Sequence, residues 1–264
     1  MHASPALFLS IRQAKSTNGV FDNVVSATDG LLIKMKAPAA KSSSNTVSYF
    51  SGSKTGYGFN VQATCDADYR FGSISIIAPG AANDWSAWNQ SSLAEATARL
   101  PDGYHIIGDA AYPISEKLLT PYPGKSKPRD KDSFNFHLSQ LRVKIEQSFG
   151  ILVSTWGILW KPLGVGFAGR TDMIVALFHL HNFCRDEQTS VIAVEEEDTE
   201  TGKGRVQLAT GGVLPSSYKS VVQPTGPPAA KPTRSGDTPT RAALAAVLLH
   251  NRQFRPKENI VRNA

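Results

Sequence analysis

The sequence predicts an α/β protein built on a mixed sheet, with three strands in an antiparallel meander, further parallel strands, and helices on the flanks. Three observations predict it. Apolar and polar residues alternate through 57–65, and the pattern returns after an acidic turn at 71–78. Leu138, Leu141, Ile145, Phe149 and Leu152 recur at steps of three and four, which is helical spacing. Between these regions a short apolar run, Tyr104 to Asp109, stands alone as a buried-type strand.

The first patterned segment is Val24-Val25-Ser26-Ala27-Thr28-Asp29-Gly30-Leu31-Leu32-Ile33, a strand containing an acid and a glycine. Residues 36–48, rich in Ala, Lys, Ser and Asn, read as a loop. Asp66-Ala67-Asp68 supplies the turn between the next two strands. Asn83 and Asp84 both suit the N-cap of a helix running to about Leu100, which Pro101-Asp102-Gly103 stops. Residues 121–131 read as an exposed basic loop, followed by a helix from about Phe134 to Trp156 and another from Thr171 to about Arg185. After Asp186 the composition turns acidic and then rich in Pro, Thr, Gly and Ser, so 187–264 reads as a largely disordered tail. A short helix at 241–250 fits the pattern, with its docking left open.

The 264 residues suffice for one substantial core, and 28 basic against 22 acidic side chains leave a net charge of +6, which suits a polyanionic partner. Cys65 and Cys184 form no CxxC pair, so neither a disulfide framework nor a zinc ribbon is indicated, and a reducing intracellular compartment is expected. His181 and Cys184, three apart on a helix, make half a zinc site without a second half, and a packed helix face is the simpler reading. No run approaches the roughly 18 apolar residues of a membrane helix.

Three acids stand out. Asp29 and Asp109 end apolar runs, and Glu146 follows on a helix 37 residues after Asp109 (146 − 109). Carboxylates from two strands and one helix can converge on divalent ions, a common means of cutting phosphodiesters. Each acid also has an ordinary reading. Asp-Gly usually marks a turn, Asp109 could cap the segment after its strand, and Glu146 could pair with Arg142 four positions earlier.

The order of strands, helices and acids is the ribonuclease H-like arrangement. Val24-Val25-Ser26-Ala27-Thr28-Asp29-Gly30, Gly58-Phe59-Asn60-Val61-Gln62-Ala63, Gly108-Asp109-Ala110-Ala111-Tyr112-Pro113 and Arg142-Val143-Lys144-Ile145-Glu146-Gln147-Ser148-Phe149-Gly150 resemble the nuclease domain of PIF/Harbinger-type DDE transposases. With Leu180-His181-Asn182-Phe183-Cys184, the resemblance spans roughly 21–186. It implies a metal-dependent DNA endonuclease whose catalytic and metal-binding acids are Asp29, Asp109 and Glu146, using Mg²⁺ or Mn²⁺ on double-stranded DNA, transposon ends included, in the nucleus. Asp84 and Arg142 are accessory candidates; Lys54, Lys125, Lys127, Arg129 and Lys131 are candidate DNA contacts.

The chain departs from the family at Leu31-Leu32-Ile33, where a Thr-His pair is typical, and at Ser53, where histidine is common. Only about twenty residues, read as a short remnant, precede the first strand, where a typical member has a helical DNA-binding region. Two readings follow: an active nuclease, which would take end recognition from a separate DNA-binding partner, or a catalytically silent transposon-derived binding protein. The oligomeric state is left open.

Overall fold

A computed structural model describes residues 19–40, 42–43, 45–187, 192–194, 206–208 and 236–255. The chain elements are β1 (Val24–Lys34), β2 (Phe50–Ser51), β3 (Gly56–Cys65), β4 (Phe71–Pro79), α1 (Asp84–Gln90), α2 (Ser92–Ala98), β5 (His105–Ile107), β6 (Leu118–Leu119), α3 (Arg129–Thr155), α4 (Arg170–Asp186), β7 (Ile192–Val194), β8 (Val206–Leu208) and α5 (Pro239–His250). The main sheet runs β2-β3-β1-β5-β6, with β4 also paired to β3. β1, β3 and β4 form the antiparallel meander, and β5 and β6 join in parallel.

Helices cover both faces of this sheet. Because β1 has neighbours on both sides, nine of its eleven residues are buried, and only Ser26 and Lys34 are partly exposed. On one face Ala27, Leu31, Val61 and Ala63 meet Leu138, Ile145, Phe149 and Leu152 of α3 and Ile174 and Phe178 of α4. On the other face Val25, Ile106, Tyr112 and Leu118 meet Trp88 and Leu93.

The single helix expected from Asn83 to Leu100 is two. Ser91 is extended (φ −87°, ψ 149°), and its hydroxyl donates to the Trp88 carbonyl at 2.6 Å. Trp88 and Leu93, five residues apart, would point about 140° away from each other on one straight helix, and the break lets both enter the same core. The basic stretch also differs: α3 begins at Arg129, so Arg129 and Lys131 are helical, with Asp130 and Asp132 in the first turn where the helix dipole favours acids. Leu118–Leu119, too short to show alternation, becomes a strand because β5 offers it a parallel edge.

The helix at 239–250 docks. Ala245 and Leu248 enter the main core, and the buried guanidinium of Arg241 lies 4.0 Å from the Tyr122 ring, donating to the Thr120 carbonyl at 3.2 Å and to Asp237 at 2.7 Å. Past the helix, His137 Nε2–H donates to the Gln253 carbonyl at 3.2 Å. The predicted N-terminal remnant up to residue 18, and residues 188–191, 195–205, 209–235 and 256–264 of the predicted tail, lie outside the described residues.

Candidate active site

Successive residues of a strand face opposite sides of the sheet, and this alternation sorts the acids. Asp29 turns toward α3, where its Oδ2 lies 3.4 Å from Arg142 Nη1. Its other oxygen accepts from the Gly30 amide at 2.8 Å. Only 4% of Asp29 is exposed. Burial pushes its pKa up to about 8; Arg142 opposes the rise, while the charges of Asp109 and Asp84 add to it.

Asp109 follows β5, the strand parallel to β1, and lies close enough to influence both Asp29 and Arg142 electrostatically. Gly108 before it turns toward Tyr112 and Thr28 on the other face. The Asp109 carboxylate accepts from the Ala111 amide at 2.8 Å, which holds it at the strand end. Glu146 reaches the same place from α3, its Oε1 2.6 Å from Arg142 Nη2 and its side chain 37% exposed. Burial opposes the charge on Arg142, but Glu146, Asp29 and Asp109 together outweigh it and hold the guanidinium charged. Two of the three acids named from sequence, Asp29 and Glu146, thus pair with one arginine, and Asp109 lies within electrostatic reach of it.

Asp84 is placed on the opposite face. Asn83, whose side chain accepts from the Ser86 amide at 2.8 Å, is the cap of α1. That leaves Asp84, 3% exposed, to turn onto the sheet, where its Oδ1 accepts from Asn60 Nδ2 at 3.2 Å and Gln62 Nε2 at 3.1 Å. The Tyr112 hydroxyl donates to Gln62 Oε1 and closes this network. Gly30 makes room for it. A Cβ there would sit 2.3 Å from Asp84 Oδ1 and 2.6 Å from Gln62 Nε2. The Asp29-Gly30 pair is therefore no turn: β1 runs straight through it, and the glycine permits a close approach. Sequence reasoning missed Asn60, Gln62 and Tyr112. The available signal was two carboxamides at alternate positions of an otherwise apolar strand that sits between other strands.

The basic candidates divide. Lys54 stands in the turn between β2 and β3; burial lowers its pKa while Asp84 and Asp29 raise it. Lys125 is exposed. Lys127 donates to the Gly124 carbonyl, the Arg129 guanidinium lies 3.5 Å from the Phe254 ring, and the Lys131 ammonium lies 4.8 Å from the Tyr122 ring. Arg129 therefore supports the docked C-terminal segment, while Lys131 lies over a ring of the preceding loop. His181 donates from Nε2 to the Tyr69 carbonyl at 2.7 Å as part of the packed face of α4, and neither Cys65 nor Cys184 is in a disulfide.

Carboxylate oxygens are hard donors of the kind Mg²⁺ and Mn²⁺ prefer, so the donor set fits such an ion. Among the described residues, no three acid, histidine or cysteine side chains converge closely enough to hold an ion as they stand. The fork of Arg142 lies between two of the acids.

Residues 28–182 match the family model described as DDE superfamily endonuclease, which is more than half of the chain. The chain belongs to this family. As a DDE superfamily endonuclease domain, its mixed sheet with flanking helices is the ribonuclease H-like fold, and all three acids lie within the matched span. The domain is also 29% identical over 160 residues to "Protein ALP1-like" of Arabidopsis thaliana, covering 53% of this chain and 38% of that protein. The chain thus spans well under two thirds of that relative. No solved structure matches it. Among the described residues no helix is long and apolar enough to cross a membrane.

Proposed function

We propose that this domain is a divalent-metal-dependent DNA endonuclease of the PIF/Harbinger transposase type, acting in the nucleus on double-stranded DNA that includes transposon ends. The observation that carries this reading is that Asp29 and Glu146, from a strand and a helix, pair with one partly buried guanidinium, with Asp109 on the parallel strand within electrostatic reach of it. Asp29, Asp109 and Glu146 would hold Mg²⁺ or Mn²⁺, which when bound activates an attacking water or 3′-hydroxyl and stabilises the leaving oxygen.

The chain's own residues do the rest. The Gly30 and Ala111 amides each fix one carboxylate, so the site presents oriented oxygens rather than mobile ones. Charge +6 over the chain favours the approach of DNA, with Lys54 and Lys125 as contacts and end recognition supplied by a separate DNA-binding partner.

A second reading, a silent transposon-derived binding protein, draws on one observation: Arg142 already satisfies Glu146 at 2.6 Å, and Leu31-Leu32-Ile33 and Ser53 replace polar family residues. Plasmid nicking by the purified chain with Mg²⁺, Mn²⁺ or EDTA separates the two. Metal-dependent nicking lost in Asp29→Asn, Asp109→Asn and Glu146→Gln is the expected result. A folded wild type that leaves supercoiled plasmid intact in every metal gives preference to the silent protein.

A further inference from the structure

Arg142 is the cation of the acid cluster. Its two arms reach acids on different elements, Nη1 to Asp29 Oδ2 on β1 at 3.4 Å and Nη2 to Glu146 Oε1 on α3 at 2.6 Å, and Asp109 contributes to its charge stabilisation. Its side chain is only 21% exposed. A surface i,i+4 pair would contribute a few tenths of a kcal/mol. Here the same pair is anchored to a second, buried carboxylate, that of Asp29, across the core interface.

We infer that Arg142 is a built-in stand-in for the divalent ion: it holds the acids together in the metal-free protein and competes with the ion for the same carboxylate oxygens, thereby setting metal affinity. The inference rests on the nuclease reading for the class of ion, a hard divalent cation. The competition is steric as well as electrostatic, because the lone pairs of Glu146 Oε1 and Asp29 Oδ2 that face the guanidinium cannot at the same time face an ion.

The two distances say which contact yields. The 2.6 Å bond to Glu146 is a short charge-assisted one, whereas the 3.4 Å contact to Asp29 is at the limit of a hydrogen bond. Asp29 is held through its other oxygen by the Gly30 amide and is buried, so it stays where it is. Glu146, more than a third exposed on a helix, is the mobile ligand. Asp29 and Asp109 would therefore be the fixed ligands of an ion, and Glu146 the ligand that would exchange the guanidinium for it. Arg142 acts through the acids and is a positioning residue.

The test is Mn²⁺ binding, measured by titration calorimetry and by the loss of the free-ion paramagnetic resonance signal, without DNA. Arg142→Gln removes both the charge and the fork; Arg142→Lys keeps the charge but cannot bridge two acids. Removing a unit charge beside a doubly charged ion in a partly buried site is expected to tighten Mn²⁺ binding by about tenfold or more, with Arg142→Lys between that variant and wild type. Adding Asp29→Asn to Arg142→Gln should abolish the gain. Wild-type protein binding Mn²⁺ as tightly as folded Arg142→Gln, or more tightly, would overturn the inference and leave the nuclease reading standing. Folded wild type, Arg142→Lys and Arg142→Gln that all fail to bind Mn²⁺ would remove both.

Discussion

Two buried titratable side chains, one on α4 and one on β1, are treated by the fold in opposite ways. His181, on α4, is 2% exposed, packs its ring 4.7 Å from that of Phe71, and donates to the Tyr69 carbonyl. Burial pulls its pKa down to about 4, so it is a neutral, satisfied imidazole. Asp29 is 4% exposed, and burial with two acidic neighbours pushes it up to about 8 against the pull of Arg142. The histidine has resolved its burial by losing charge to fit its partners. The aspartate sits where charge is disfavoured yet is surrounded by more of it, an arrangement that serves binding a cation better than it serves folding.

The comparison breaks most visibly in the acid site. Asp29→Asn should cut metal-dependent nicking by at least about a thousandfold while leaving the metal-free protein as stable as wild type or more so. The sign follows from linkage: with its folded pKa raised from 3.8 to about 8, Asp29 binds a proton more tightly in the native state. Its contribution is fully present below pH 3.8 and is lost as pH rises to about 8. Thermal melts in EDTA at pH 8 should show the variant melting higher; a clear drop there would equate the two regions as merely structural.

On the opposite face, Gly30→Ala places a Cβ 2.3 Å from Asp84 Oδ1 and should destabilise by about 3 kcal/mol in urea unfolding. An unchanged midpoint would mean that the Asp84 network yields without cost.

His181 sharpens the contrast through pH. Burial holds its folded pKa below the ordinary 6.5, at about 4, so its stabilisation is present above pH 6.5 and is lost as pH falls toward 4. His181→Gln should remove about 3 kcal/mol of that acid dependence, seen as a flatter stability profile over this window. The smallest effect is expected at Asn83→Ala, about 1 kcal/mol for the lost helix cap, with nicking unchanged because the cap lies across the sheet from Asp29 and Glu146.

Much of this was legible in the chain. The apolar faces of α3 and α4 follow from spacing alone: Leu138, Leu141, Ile145, Phe149 and Leu152 are all buried, as are Ile174, Leu177, Phe178 and His181. β1, β3 and β4 were readable from alternation and an acidic turn, and Asp29, Asp109 and Glu146 from their places in or at the end of those elements together with the family resemblance. Less legible were features whose cause is distant in sequence. Ser91 breaks a helix because the core beneath needs both Trp88 and Leu93, and Leu118–Leu119 is a strand only because β5 is beside it. Arg129 and Lys131 looked like a basic surface but are partly engaged by Phe254 and Tyr122.

Sequence by itself determined the class of fold, the helices and strands with strong local periodicity, and which acids are candidates for chemistry, because hydrophobic spacing and residue type are local properties. Tertiary structure alone decided that Asn83 and not Asp84 caps α1, that Gly30 serves close approach and not a turn, and that α5 docks through Arg241. It also decided that one guanidinium joins Asp29 to Glu146 across 117 positions (146 − 29). These depend on which face a strand residue presents and what packs above it, and that is set when the sheet closes against its helices.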